Sequence, residues 1–208
     1  LSGNGRAAGK GIVEKTPLSV EMIEGHLKGV KGIGSIPITD KNECKFGVLD
    51  IDSYNVDHKE IAKKCKALKI PAVVCRSKSG GAHIFIFTKE PVTALLMRDK
   101  LADFAAFLGF ANCEIFPKQI EIRADRGDTG NFLNLPYYNE MKGLRYAIND
   151  TGAGCALEEF FELHSIYQKG PQLNQYYPFP YEYSYTNLLS KYLQHSINPA
   201  LSQLLFYL

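Results

Sequence analysis

The chain has 208 residues, with 24 Lys+Arg against 22 Asp+Glu for a formal net charge of +2, and is 45% hydrophobic and 22% charged. That is a globular composition, large enough to bury a core without staples, and it excludes disordered and fibrous classes. No apolar run approaches the roughly 18 residues of a membrane span, and no signal-peptide pattern opens the chain. The five cysteines (Cys44, Cys65, Cys75, Cys113, Cys155) are odd in number and never closely paired. This excludes a disulfide framework and a C-x-x-C zinc knuckle, and points to a reducing, intracellular setting. A chain that starts at Leu1 is expected to be a piece of a longer protein.

Residues 1–15 read as a Gly-rich, polar lead-in. Gly9-Lys10 falls short of a P-loop, because Asn4 stands at its first glycine and Gly11 at its Ser/Thr. Gly3-Asn4-Gly5 falls short of a dinucleotide loop, with Ala8 at the third glycine and no strand before it. Thr16-Pro17 signals a helix start, and Val20, Ile23 and Leu27 predict a short helix. A Gly-broken stretch ends in Ile36-Pro37-Ile38. Lys45 to Ile51 reads as a strand, and Asp57 as the cap of a helix with Ile61, Cys65 and Leu68 on one face. Ala72 to Cys75 and Ala82 to Phe87 read as paired strands around Ser77-Lys78-Ser79-Gly80-Gly81. Thr93 begins a helix carrying Met97, Leu101, Phe104 and Leu108. Short strands follow at Cys113 to Phe116 and Asn131 to Leu135, and a helix at Leu157 to Gln168.

The order is that of an α+β fold, compatible with a split βαβ sheet like that of an RNA-recognition fold. Residues 16–150 are expected to form the core and 151–208 a helical extension packing on it. From Pro171 onward the tail holds seven of the twelve tyrosines, one acid (Glu182) and one base (Lys191). Its leucines, Leu188 to Leu205, suggest two short helices.

Three stretches carry chemistry. In Asp50-Ile51-Asp52, residues i and i+2 of a strand project from one face, so both carboxylates point one way while Leu49 and Ile51 enter the core. Two close acids repel unless a cation neutralises them, and all-oxygen ligands favour Mg²⁺ or Mn²⁺. An EF-hand is excluded by Tyr54, Asn55 and Ile61 at its ligand, glycine and closing-Glu positions. Arg76-Ser77-Lys78-Ser79-Gly80-Gly81-Ala82-His83 offers a small-residue turn whose N–H groups can nest an anion, with Arg76 and Lys78 supplying charge. The following His83 can donate a hydrogen bond to a phosphate. Glu114, ahead of Phe116-Pro117-Lys118-Gln119, can complete a three-carboxylate set from a neighbouring strand. Carboxylates for ions and a cradle for a triphosphate are the requirements of two-metal nucleotidyl transfer. His26 and His164 read as packed histidines, His58 and His195 as surface ones.

This constellation resembles the archaeo-eukaryotic primase superfamily, and within it the primase-polymerases of phages, mobile elements and CRISPR loci. The matching stretches are His26-Leu27-Lys28-Gly29, Ile33-Gly34-Ser35-Ile36-Pro37, Phe46 to Asp52, Ser77 to His83, Glu114 to Gln119, and Gly130-Asn131 through Leu135-Pro136-Tyr137. They cover about Thr16 to Tyr138, in the order of the family's motifs. Serine and histidine stand as Ser79-x-x-x-His83, wider than the superfamily's S-x-H, and no Cys/His zinc module is present.

The resemblance implies a primase catalytic core and template-directed polymerisation with Mg²⁺ or Mn²⁺ and no zinc, starting strands de novo. It implies metal binding by Asp50, Asp52 and Glu114. His83, Ser79, Gly80 and Gly81, helped by Arg76, Lys78 and Lys118, would grip the triphosphate of a dNTP or NTP. Asn131 or Asn134 would contact the sugar or an initiating nucleotide. The implied partner is single-stranded DNA. A helicase or another replication or CRISPR module is the expected companion, in the cytoplasm of a bacterial or phage-infected cell and without a membrane. Two rival classes stand beside this reading. One is a glycosyltransferase whose D-x-D holds a nucleotide-sugar diphosphate, with no template requirement. The other is a non-catalytic nucleic-acid module with stacked aromatics on an exposed sheet face. The +2 charge argues against a strongly basic binder, but it averages over acids assigned to metals and over Lys63, Lys64, Lys66 and Lys69 on one helix. Weak, salt-sensitive DNA binding is the expectation.

Overall fold

The computed structural model describes residues 12–14, 18–53 and 55–168. Its elements are α1 (Val20–Leu27), β1 (Gly34–Ser35), β2 (Glu43–Ile51), α2 (His58–Ala67), β3 (Ala72–Arg76), β4 (Ala82–Thr93), α3 (Ala94–Leu108), β5 (Glu114–Phe116), β6 (Leu133–Asn134), β7 (Ala147–Ile148) and α4 (Leu157–Gln168). The expected helices within these residues all form. The tail helices, His195 and the lead-in residues 1–11 lie outside the described residues, and among these no helix is long and apolar enough to cross a membrane.

Five strands form one sheet in the order β5-β2-β4-β3-β7, and every neighbouring pair is antiparallel. The fold is therefore α+β. Period-two alternation divides the sheet's residues between two cores. Leu49, Ile51, Val74, Ile84 and Ile86 face α2 and α3, against Ile61, Cys65, Met97, Leu101 and Phe104. Val48, Val73, Phe85 and Phe116 face the other way, against Leu133, Tyr137 and the α4 residues Phe160 and Leu163. All five cysteines are free thiols.

Helix starts follow side-chain capping. Asp57 accepts from Glu60 N at 3.0 Å and Thr93 from Leu96 N at 3.2 Å, so both expected caps form. The first helix departs from expectation. Its cap is Ser19, whose Oγ accepts from Met22 N at 3.3 Å, and Thr16-Pro17 falls outside the described residues. The apolar spacing is not what docks it either, since Val20 and Ile23 are 68% and 44% exposed.

His26 docks it instead. The imidazole is 3% exposed, donates from Nε2 to Pro136 O at 2.8 Å, and accepts at Nδ1 from Ile33 N at 2.9 Å. With Tyr138 Oη donating to Gly29 O at 2.8 Å, it ties α1 to the two-stranded sheet β1–β6. Two regions of the chain 110 residues apart meet on this one ring. The two-residue strands β1 and β7 escaped the sequence reading because they are too short to show a period.

The turn between β3 and β4 is fixed from outside. Gly80 has φ +94°, which favours glycine. At Gly81 a Cβ would stand 2.2 Å from Ile51 O, so the chain passes against the end of β2. Gly81 O accepts from Ser77 N at 2.8 Å and from His58 Nε2 at 2.9 Å. His58, expected on the surface, is half-buried as the first residue of α2 because it makes this bond. His164 sits edge-on to Phe87 with ring centroids 4.6 Å apart, while Phe161, its expected neighbour on an apolar face, is 56% exposed.

Two outcomes follow. Desolvation lowers the pKa of His26 below the ordinary 6.5, as it does for His164. Below pH 6.5 the unfolded chain takes up protons that the folded chain refuses, so stability should fall as the pH drops through that window. The slope is at most about 1.4 kcal/mol per pH unit for His26, and melting curves between pH 7.5 and 5.5 should steepen less in His26→Gln than in the native chain. Gly81→Ala should cost about 1–3 kcal/mol, a fall of roughly 2–12 °C in melting temperature.

Candidate functional site

The register of the sheet sets one polar row. Asp50 on β2 lies opposite Glu114 on β5 and opposite His83 on β4, and His83 in turn lies opposite Cys75 on β3. Directly opposed residues share a face, here that of Val48 and Phe85. Leu49 and Ile51 enter the other core, as the alternation of the D-x-D strand predicts, with exposures of 0% and 4%.

Each acid of this row has its own nitrogen partner. His83 Nε2 stands 3.3 Å from Asp50 Oδ1, and Lys118 Nζ stands 2.8 Å from Glu114 Oε2 and 5.0 Å from the Phe116 ring centroid. Across the sheet edge the order is Lys118, Glu114, Asp50, His83: the two opposed carboxylates sit together in the middle, with a nitrogen group on either side to offset their repulsion. Lys118 is placed by the β5 exit. The Phe116–Pro117 bond is cis, and Arg98 of α3 donates to Pro117 O at 2.6 Å. Arg98 was not singled out in the sequence, since nothing local to α3 distinguishes it from a solvated arginine.

Asp52 sits just past the end of β2 and is exposed. Its Oδ1 accepts from Ser79 Oγ at 3.5 Å, and Ser79 Oγ lies 3.1 Å from Ser77 Oγ. The small-residue turn therefore comes to the D-x-D strand end, with Lys78 exposed at its tip. Arg76 turns the other way, donating from Nη1 to Leu144 O at 2.9 Å and to Ser77 O at 3.3 Å. Asn131 Oδ1 accepts from Gln119 Nε2 at 2.6 Å, which joins the Lys118 loop to the strand of Asn134. Asn134 itself lies in β6 opposite Gly34.

Among the described residues, no three His, Cys, Asp or Glu side chains converge closely enough to enclose a metal ion. The donor set still fits a hard cation of the Mg²⁺ class. Such ions are held by one or two carboxylates together with water and substrate phosphates, rather than by a closed protein cage, and Asp50 and Glu114 are an opposed all-oxygen pair. The thiols offer no rival chemistry. Burial first, and the charge of Asp50 second, push Cys113 up to about 11, and burial drives Cys75 further still.

Comparison with the curated proteins gave no match. A family model described as the archaeo-eukaryotic primase domain of the TOTE conflict system matches residues 10–145. That span takes in α1 through β6, with every residue of the row and the turn. Its members are a primase-like nucleotidyltransferase family, in keeping with the order in which the D-x-D strand, the turn with its histidine and the third acid follow one another. The chain belongs to the archaeo-eukaryotic primase family of the TOTE conflict system.

Proposed function

We propose that this chain is the catalytic domain of a template-dependent primase-polymerase that transfers a nucleotide from a (d)NTP to a 3′-hydroxyl, releases pyrophosphate, and initiates strands de novo. The observation that carries it is the opposition of Asp50 to Glu114 and His83 beside the Ser77–Gly81 turn. The strand order around β2 and β4, with two helices on one face, supports an RNA-recognition-like core.

Asp50, Asp52 and Glu114 would hold Mg²⁺ or Mn²⁺, which when bound supplies charge neutralisation and acidifies the attacking hydroxyl. The chain's own residues do the rest. Ser79 and the Gly80-Gly81 turn, in which Gly80 N–H is held by Ser77 O at 3.1 Å, cradle phosphate oxygens, and Lys78 contributes charge from the exposed tip. His83 Nε2 is within reach of both its carboxylate partner and a phosphate beside it, and can donate to either. Lys118 can pass from Glu114 to the triphosphate when that acid is engaged. His58 holds Gly81 in place without touching the nucleotide.

Binding through stacked aromatics on an open sheet face is the less supported reading. Phe85 is 2% exposed, and Phe87 packs against Phe160 and His164 of α4. The aromatic part of that face is covered, and the polar row at its end remains.

Primer synthesis on a single-stranded DNA template, with Mn²⁺ or Mg²⁺ and all four nucleotides, tests this reading. Asp50→Ala with Asp52→Ala should lower the rate by at least about 10³-fold, a loss comparable with removing a major electrostatic contributor. Unchanged synthesis would refute the assignment. His58→Ala should raise KM for the nucleotide several-fold while kcat changes less, because it loosens the turn and leaves the acids in register.

A further inference from the structure

On the same sheet face a cavity opens, away from the carboxylates. Beyond the polar row, the same line of opposed residues runs through buried Cys75 to Ala147 on β7, so the register crosses all five strands. Three inter-strand steps separate Asp50 from Ala147, roughly 14 Å. Immediately before Ala147 stand Arg145 and Tyr146, which with Met141, Glu140, Tyr137 and Leu157 line a cavity of about 420 Å³. That volume is in the range of ligand pockets.

Arg145 is what makes this cavity a candidate site. Among the described residues its Nη1 is the one buried side-chain donor or acceptor with no hydrogen-bond partner. A guanidinium N–H left unpaired at a buried position costs free energy, and a rotation of the side chain toward the cavity would let a bound acceptor pair it. The guanidinium lies 5.4 Å from the Tyr138 ring centroid, and Tyr146 also lines the cavity. A planar cation beside an aromatic ring is the combination that takes a phosphate and its stacked base. The cavity is also wired to the proposed nucleotide turn. Arg76 donates from its backbone N to Tyr146 O at 2.8 Å and from Nη1 to Leu144 O at 2.9 Å. Glu140, the one acid of the lining, is exposed, so solvent and salt screen its repulsion of a phosphate in the cavity.

We infer that Arg145, with Tyr146, forms a subsite for a phosphate and adjoining base of a single-stranded nucleic acid, toward the β7 edge of the sheet and away from Asp50. The identity of this ligand rests on the polymerase reading above. The Arg76 bonds would let strand occupancy stiffen the turn that faces the triphosphate.

The test is fluorescence anisotropy of the full chain with a labelled oligo(dT) of about 12 nucleotides, in EDTA and across a salt series. Arg145→Gln should weaken binding at least fivefold and reduce the log–log salt slope by about 1. Met141 is 90% exposed, so Met141→Glu leaves the core intact and places a negative charge at the mouth of the cavity. It should weaken binding similarly at an unchanged melting temperature. Binding by Met141→Glu within twofold of the native chain, with an unchanged salt slope for Arg145→Gln, would overturn the proposal. So would a cavity that takes dTTP in EDTA in an Arg145-dependent manner while oligo(dT) binding stays independent of Arg145. Asp50→Ala with Asp52→Ala should keep strand binding while losing synthesis. If native synthesis itself is absent yet Arg145-dependent strand binding persists, the polymerase reading fails and the subsite stands.

Discussion

The register of β2 is the constraint on which everything else depends. A strand buried on both faces has no free face to slip toward, and a shift of one residue would drive Asp50 into the core and Leu49 into the polar row. Leu49 and Ile51 lock one side against α2 and α3, while Val48 locks the other against Phe85 and Phe116. With β2 so held, Glu114 and His83 need only be in register on their own strands to meet Asp50. The charges that would repel each other are then placed at fixed separations, with the Lys118 ammonium beside Glu114 and the His83 ring beside Asp50.

A second device supports the first. His26 is a buried neutral imidazole that satisfies a carbonyl and an N–H from two different segments. Burial disfavours its charged form, and the two bonds require one nitrogen to donate and the other to accept. The same ring packs edge-on against Tyr138. This arrangement explains why H-L-x-G, I-G-x-x-P and G-N-x-x-x-L-P-Y stretches occur together: they are three sides of one packing unit. Their contribution to the site is indirect, since Gln119 and Asn131 carry the link from that unit to the Lys118 loop.

The site and the cavity around Arg145 share the sheet as a common ruler. Cross-strand spacing sets their separation, and Arg76 connects them mechanically through the segment at residues 144–146. Arg76 illustrates how a residue type misleads when its surroundings are unknown. Next to a small-residue turn it reads as a phosphate ligand, yet its guanidinium braces a neighbouring loop. His58 misleads in the opposite sense, reading as a solvated helix start while it clamps Gly81.

By itself the sequence determined what local rules govern. Alternation placed Leu49 and Ile51 inside and Asp50 opposite to them, capping placed Asp57 and Thr93, and glycines marked the turn at Gly80-Gly81, because each depends on residues within a few positions. The α+β order and the family's motifs were legible for the same reason. Only the tertiary structure decided which strands are neighbours, and hence that Glu114 and His83 flank Asp50 and that Cys75 and Ala147 extend the row. It also decided the partners of His26, His58, Arg76 and Arg98, and the covering of Phe87 by α4. Those are contacts between segments far apart in the chain, set by strand register and by the volume two cores must fill, and no spacing within a single segment encodes them.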